Sequence, residues 1–331
     1  MIKIISTIGD PNGIGIECLV KALDYLNHNC SWFLNVQLDI AGNVNLIDKY
    51  LKKINYPYKI MDNYLVLNER KYKIISATDD IDIDFGKIQQ NSGLVAAHSL
   101  EFSVSELVKN NYDILITMPI SKEAIKLAGW KFPGHTEMIA NALGVKHPLM
   151  ILFHNNIRVA LVTFHTPIKE LPFEISYNRI IHIGSVFSNS LHIDFGIENP
   201  KIAILGLNPH AGENGNIGRE ELEIIIPALR KLQERGINVS GPFSADGFFG
   251  FGEYKKYDGI LAMYHDQGLI PLKLLANGNG VNFTANLPII RTSPDHGTAF
   301  EIAGKSTADP QSTIEAFKAA YTIYENRKRL I

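Results

Sequence analysis

Cysteine is scarce: the 331 residues hold two, Cys18 and Cys30, and neither lies in a C-x-x-C spacing. With no charged leader and long apolar stretch ahead of the first strand, this points to a reducing, cytoplasmic compartment. Long hydrophobic runs are missing too. Each apolar stretch is broken within about ten residues by Gly, Pro, Asn or a charge, short of the roughly 20 that span a bilayer, so the chain is not expected to cross a membrane. Neither sign of charge dominates, with 32 Lys and Arg against 34 Asp and Glu and a net charge of -2. That leaves no basic field for nucleic acid or a membrane surface, and small molecules are the expected partners. Also absent are a G-x-G-x-x-G fingerprint, a P-loop Gly-Lys-Ser/Thr, an internal repeat, a heptad array and a low-complexity linker.

What is present is an ordinary globular composition, 46% hydrophobic and 20% charged, on a chain long enough for two domains or one large α/β unit. Met1–Ile8 reads as a strand, followed by a glycine turn and by Ile16, Leu19, Val20 and Leu23 at helical spacing. The grammar recurs with Leu38–Ala41 as a strand, a helix from about Ser92 to Lys109 and Asp113–Met118 as a strand. Such alternation implies a mostly parallel sheet. Leu222, Ile225, Ile226, Leu229 and Leu232 mark a helix that Pro227 should kink and Gly236 should end. Asp309-Pro310 opens the last helix as cap and first-turn proline, with Ile314, Phe317, Tyr321 and Tyr324 on its buried face. Asn55–Asp84 is polar and strand-like and reads as structural.

Three β-branched apolar runs each lead to a histidine: Val159–Phe164 to His165, Ile202–Leu205 to His210, and Gly259–Tyr264 to His265. Such runs read as buried parallel strands, and ligands bind at the carboxyl ends of strands in open α/β sheets. Three imidazoles delivered there form a candidate metal site with an open coordination position. A single strand-end histidine is more simply a hydrogen-bonded cleft residue. The turn-rich polar clusters after the strands, Asn208–Gly215 and His265–Gly268, shift the balance toward chemistry.

Other segments admit two readings. Gly9–Glu17 opens the first helix either as an anion-receiving loop or as a plain helix start. Thr117–Lys122 leaves a strand with hydroxyls and a lysine, a phosphate-facing edge with many innocent counterparts. In Pro133–Glu137, His135 and Thr136 occupy a first helical turn suited to an anion, although Thr136 can equally be a cap. Lys273, Asn282 and Arg291 together can clamp a dianion, while individually each is more often a surface charge with its stem packed on apolar neighbours. Asp246 is a turn aspartate by default and otherwise a neighbour of the metal or a base.

The strings GDPNGIGIE (from Gly9), PISKEAIKLAG (Pro119), FPGHTE (Phe132), LNPHAGENGNIGREE (Leu207), MYHDQGLIPLK (Met263) and VNFTANLPIIRTSPDHGTAFEIAGK (Val281) occur in one order. Through them the chain resembles the 4-hydroxythreonine-4-phosphate dehydrogenase family from Gly9 to beyond Asp309. The resemblance implies metal ligands at His165, His210 and His265 and substrate contacts at His135, Thr136, Lys273, Asn282 and Arg291. It extends to isocitrate and isopropylmalate dehydrogenases, whose strings are similar to Gly9–Glu17 and His296–Lys305. That implies two α/β/α halves around a cleft, not a Rossmann fold, with His296 and Gly297 facing NAD or NADP. The chain departs from the family at Ile8 and Ile16, where proline is common, at Asn12, where alanine is common, and at Asn216-Ile217, where His-Met is usual.

The implied domains are 1–125 with 280–331 and 126–279, the latter carrying the metal ligands. The implied reaction is metal-dependent, NAD(P)-linked oxidation of 4-phosphohydroxy-L-threonine at C3, giving a 3-keto acid that decarboxylates to 3-amino-2-oxopropyl phosphate in pyridoxine 5'-phosphate biosynthesis. Zinc, magnesium and cobalt are the candidate ions, and the base is Asp246, Lys273 or ion-bound water. The resemblance also implies a homodimer with its site at the subunit interface. Alternatives are a dehydrogenase of a phosphorylated threonate or cyclic diol and, in another class, a phosphate acyltransferase-like enzyme.

Overall fold

In the computed structural model residues 1–132 and 134–330 are described, so Pro133 of the FPGHTE string and Ile331 lie outside the described residues. The chain divides into two compact units, Met1–Pro148 with Leu287–Tyr321, and Leu149–Asn286 with Thr322–Ile331.

The first unit carries β1 (Ile2–Thr7), β2 (Val36–Gly42), β3 (Lys59–Met61), β4 (Tyr64–Leu67), β5 (Arg70–Ser76), β6 (Ile114–Ile116) and, from its second segment, β13 (Ile290–Pro294). They run in the order β13-β6-β1-β2-β5-β4-β3. From β13 to β5 the neighbours are parallel, and β5, β4 and β3 then close as an antiparallel meander built from the polar segment after Asn55. Ile4, Ile5, Ile114, Leu115 and Ile116 are fully buried, as strands covered on both faces require. The helix Gln90–Val108 packs Leu100, Val104 and Leu107 against Ile5, Ala41 and Leu115, and Met138 and Ile139 of the helix His135–Ala142 join that core.

The second unit carries β7 (Leu149–His154), β8 (Ile157–Leu161), β9 (Ile202–Leu205), β10 (Val239–Phe243), β11 (Gly259–Ala262) and β12 (Val281–Ala285), ordered β10-β9-β11-β8-β7-β12. β10, β9, β11 and β8 are mutually parallel, whereas β8, β7 and β12 pair antiparallel. Val159, Leu161, Ala203, Leu205, Ile260 and Ala262 of the parallel strands meet Leu269 and Leu272 of the helix His265–Ala276 in one core.

The region expected to hold a proline-kinked helix resolves differently. A single π-helical turn, Glu221–Ile225, runs directly into the α-helix Ile226–Glu234, and Pro227 stands just past it, at the start of the α-helical stretch. Gly236, at φ +78°, follows its end. The last helix, Gln311–Arg329, starts where the Asp309 carboxylate accepts from Gln311 N at 3.0 Å. Among the described residues no helix is long and apolar enough to cross a membrane.

Gly268 decides how closely the helix His265–Ala276 approaches the sheet, because a Cβ there would lie 2.6 Å from Val159 Cγ1 and 2.9 Å from Ala262 Cβ. Gly268→Ala should therefore lower stability by about 1–3 kcal/mol, seen as a lower urea midpoint at unchanged slope. An unchanged midpoint would show that the helix can back away without cost.

Candidate functional site

Parallel pairing of β9 with β11 and of β11 with β8 puts three loops at one end of the second unit's sheet. His165 lies four residues past β8, His210 in the turn Pro209–Gly215 after β9, and His265 at the first position of the helix after β11. The rings of His165 and His265 stand with centroids 5.9 Å apart and planes inclined at 36°. His265 Nδ1 faces Asp266 Oδ1 at 2.7 Å, which directs Nε2 outward, an arrangement common in metal-ligating histidines. Among the described residues no three His, Cys, Asp or Glu side chains gather closely enough to close round an ion. The structure thus brings two of the histidines together and leaves His210 on the adjoining loop. Asp246, exposed beside that loop, is held below the usual carboxylate range by the Ser244 hydroxyl, then by the Gly247 amide and by His210. It is an ionised carboxylate near an imidazole. Lys273 is exposed on the helix that His265 begins.

Two residues without a signal in the sequence tie these loops together. Thr163 Oγ1 donates to Met263 O at 2.7 Å, linking the β8 and β11 ends. Gln267 accepts from Met263 N at 2.7 Å and donates to Gly206 O at 2.6 Å, linking β11 to β9. Both sit inside strings whose histidines draw attention, and a side-chain amide or hydroxyl bridging two backbones has no sequence pattern of its own.

In the first unit Arg291 is buried on β13 and donates from Nε and Nη2 to the Thr117 hydroxyl at 3.1 and 2.7 Å. Burial lowers its pKa to about 10, with Glu137 acting in the opposite direction, so it remains a cation at neutral pH. Burial first, and the Arg291 charge second, push His135 well below the usual histidine value. A neutral imidazole therefore stands near a guanidinium. His135 and Thr136 begin the helix His135–Ala142, and Gly134 is its N-cap, so Thr136 is not the cap. Ser121 does cap the helix Lys122–Leu127, accepting from Ala124 N, so its hydroxyl is already engaged.

Four backbone amides of the turn Gly9–Gly15 are committed. Asp10 N bonds Pro119 O, Asn12 N bonds Asp10 Oδ1, Gly13 N bonds Asp10 O and Ile14 N bonds Thr298 O. These amides serve the fold, which favours the helix-start reading over an anion loop. A Cβ on Gly13 would lie 2.7 Å from Thr298 O, so the turn buttresses the segment containing His296 and Gly297. Asn12 is fully buried, donates to Lys87 O and Gln89 Oε1, and accepts from Asp84 N. An alanine there would make none of those bonds.

Several buried polar atoms have no partner among the described residues, including His135 Nε2, Asn282 Oδ1 and His296 Nε2. His296 Nδ1 faces Gly297 O at 3.0 Å, and burial holds its ring below the usual histidine pKa. A buried polar group without a partner costs about 1–3 kcal/mol, which a ligand bonded to these three atoms would recover.

Residues 35–320 match the family model of the pyridoxal phosphate biosynthetic protein PdxA. The chain belongs to this family. It is 42% identical over 329 residues to the 4-hydroxythreonine-4-phosphate dehydrogenase of Sulfurihydrogenibium sp. (strain YO3AOP1), covering 99% of this chain and 100% of that protein. A 4-hydroxythreonine-4-phosphate dehydrogenase structure from Klebsiella pneumoniae superimposes with a TM-score of 0.80 at 32% identity over 97% of each chain. At the level of fold alone, isocitrate dehydrogenase from Methylococcus capsulatus matches with a TM-score of 0.52 at 13% identity, over 99% of this chain and 87% of that one. The resemblance carried by the motif strings and the isocitrate dehydrogenase-like fold are both borne out.

In this PdxA-family chain one buried acid is open to direct titration. Burial raises Asp10 from 3.8 to about 6 against the opposing bonds from Asn12 N and the Ser92 hydroxyl. The folded protein then holds that proton more tightly than the unfolded chain. The stabilisation is complete below about pH 4 and is lost as pH rises through about 6. Asp10→Asn should gain on the wild type between those limits by up to about 3 kcal/mol in urea unfolding. A difference independent of pH would contradict the assigned burial of the charge.

Proposed function

We propose that this PdxA-family chain oxidises 4-phosphohydroxy-L-threonine at its C3 hydroxyl with NAD(P)+, giving a 3-keto acid that loses CO2 to form 3-amino-2-oxopropyl phosphate. The carrying observation is the set of buried, unpartnered polar atoms, His135 Nε2, Asn282 Oδ1 and His296 Nε2, on three residues expected to meet ligand. Substrate contacts in this reading are His135, Thr136, Lys273, Asn282 and Arg291, and His296 and Gly297 meet the nicotinamide cofactor. Arg291, its fork oriented by Thr117, supplies the fixed cation for the phosphate. His135, kept neutral by burial, adds a hydrogen-bonding nitrogen without a second charge. Binding at the phosphate end helps lower the barrier by holding the reacting carbon in place.

His165, His210 and His265 would hold a zinc, magnesium or cobalt ion, with Asp246 as a nearby carboxylate. The donor chemistry fits zinc and cobalt, as imidazole nitrogens on strand-end loops suit borderline divalent ions. When bound, the ion acidifies the C3 hydroxyl and stabilises the charge left by CO2 loss, and the nicotinamide accepts the hydride. Asp246 and Lys273 are the side-chain candidates for taking the hydroxyl proton. Cytoplasmic location accompanies this biosynthetic reading.

The test follows nicotinamide reduction with chelator-treated protein, with and without added zinc, magnesium or cobalt. Metal-dependent reduction is expected, abolished by His210→Ala, with the substrate KM raised about 10- to 100-fold by Arg291→Met. Turnover of phosphothreonate or a cyclic diol in place of this substrate would transfer the chemistry to a catabolic role. Acetyl phosphate formation without nicotinamide reduction would replace the oxidoreductase reading by acyl transfer.

The active form in this proposal is a homodimer. The helix His265–Ala276 exposes Ile270, Leu274 and Leu275, and Leu274 is 77% accessible. Aliphatic side chains clustered on a helix that also bears His265 and Lys273 suit cover by a second copy of the chain. Leu274→Glu should shift the mass in light scattering from two chains toward one, and an unchanged dimer would remove this helix from the interface.

A further inference from the structure

The loop that carries His210 is wrapped around one buried carboxylate. Glu221, 2% exposed, accepts through Oε1 from Leu207 N at 2.7 Å and Asn208 N at 2.8 Å, and through Oε2 from Asn208 Nδ2 at 2.9 Å. Among the described residues no Lys or Arg forms an ion pair with it, and these three donors are its partners. The backbone closes tightly on the same carboxylate. A Cβ on Gly206 would lie 3.1 Å from Oε1, and one on Gly212 would lie 2.5 Å from Oε2. From the middle of this span to just past it, His210, Ala211, Gly212, Glu213 and Asn214 all take positive φ, from 43° to 78°. Four of the five are not glycine, and each such residue pays a conformational cost of about 1–2 kcal/mol in the left-handed region. A strained run of this kind persists only where its surroundings over-determine it, and it points to a placed side chain.

We propose that Glu221 is the positioning residue for His210: its carboxylate fixes the root of the loop and thereby sets where the loop presents the imidazole beside His165 and His265. The proposal rests on the reading of His210 as a ligand. Two bonds lie immediately upstream of His210, at Leu207 and Asn208, and the Gly212 contact lies two residues downstream, so the clamp brackets the ligand on both sides. A glutamine at 221 can still accept from both backbone amides. Its amide group would then face Asn208 Nδ2, which also donates to Glu220 Oε2 at 2.7 Å and cannot turn away without losing that bond. Glu221→Gln therefore sets two donor groups against each other inside the clamp and loosens it without removing the side chain.

Two readouts on chelator-treated protein separate the clamp from the ligand reading. Calorimetric titration with Co2+ gives the affinity of wild type, His210→Ala, Glu221→Gln and Gly212→Ala, and deuterium exchange of residues 206–218 reports the loop itself. The expectation is faster exchange confined to that segment and Co2+ affinity lower by about tenfold or more in Glu221→Gln, the low end of what residues outside the ligand shell contribute. Gly212→Ala, which presses on the carboxylate from the other side, should do the same, and it carries the test should the residue 221 variant fold poorly. Wild-type affinity in both variants, alongside a loss in His210→Ala, would overturn the positioning role while leaving the ligand reading intact. Wild-type affinity in His210→Ala would overturn the ligand reading and the positioning role with it, and unchanged exchange would overturn the clamp whatever the metal data.

Discussion

Three neighbouring strands, β8, β11 and β9, run parallel, and every candidate ion ligand hangs from their carboxyl ends. Parallel pairing forces each strand to end on the same edge of the sheet, so loops distant in sequence begin within a few ångströms of one another. Their roots are then joined by side chains that bond to backbone: Thr163 to Met263, Gln267 to Met263 and Gly206, and Glu221 to Leu207 and Asn208. Register sets the coarse placement, and these bonds restrict the loops that the strands release.

Burial determines the electrostatics of the first unit. A chain with a net charge of -2 places Arg291 in the interior, keeps it charged, and lowers the proton affinity of His135 beside it. Such an arrangement offers a single fixed positive charge and a neutral hydrogen-bonding ring, which discriminates in favour of an anion more sharply than two mobile surface lysines. The Gly9–Gly15 turn has the opposite character. Four of its amides bond Pro119, Asp10 and Thr298, so its tightness supports the His296 segment.

Strands and helices with long apolar periods were legible because one local pattern decides them: Met1–Ile8, the helix starting near Ser92 and the runs leading to the histidines lie where the structure has β1, Gln90–Val108, β8, β9 and β11. Pro227 was harder to read, because the sequence shows a proline in a helical period but not the π turn that precedes it. Asn12 stood out only as a departure from the family. Its bonds to residues 84–89 explain the departure, and those partners lie more than 70 positions away.

By itself the sequence determined the alternation of strand and helix, the order of the motif strings, the strand-end histidines and hence the family, because each of these is encoded in residues close together along the chain. Tertiary structure decided which amides of the glycine turn were already bonded, that Thr117 orients Arg291 across 174 positions, that His135 and His296 are neutral, and that Glu221 sits inside the His210 loop. Burial, pKa and hydrogen-bond partnership depend on what packs against a group, and those neighbours come from parts of the chain that only folding brings together.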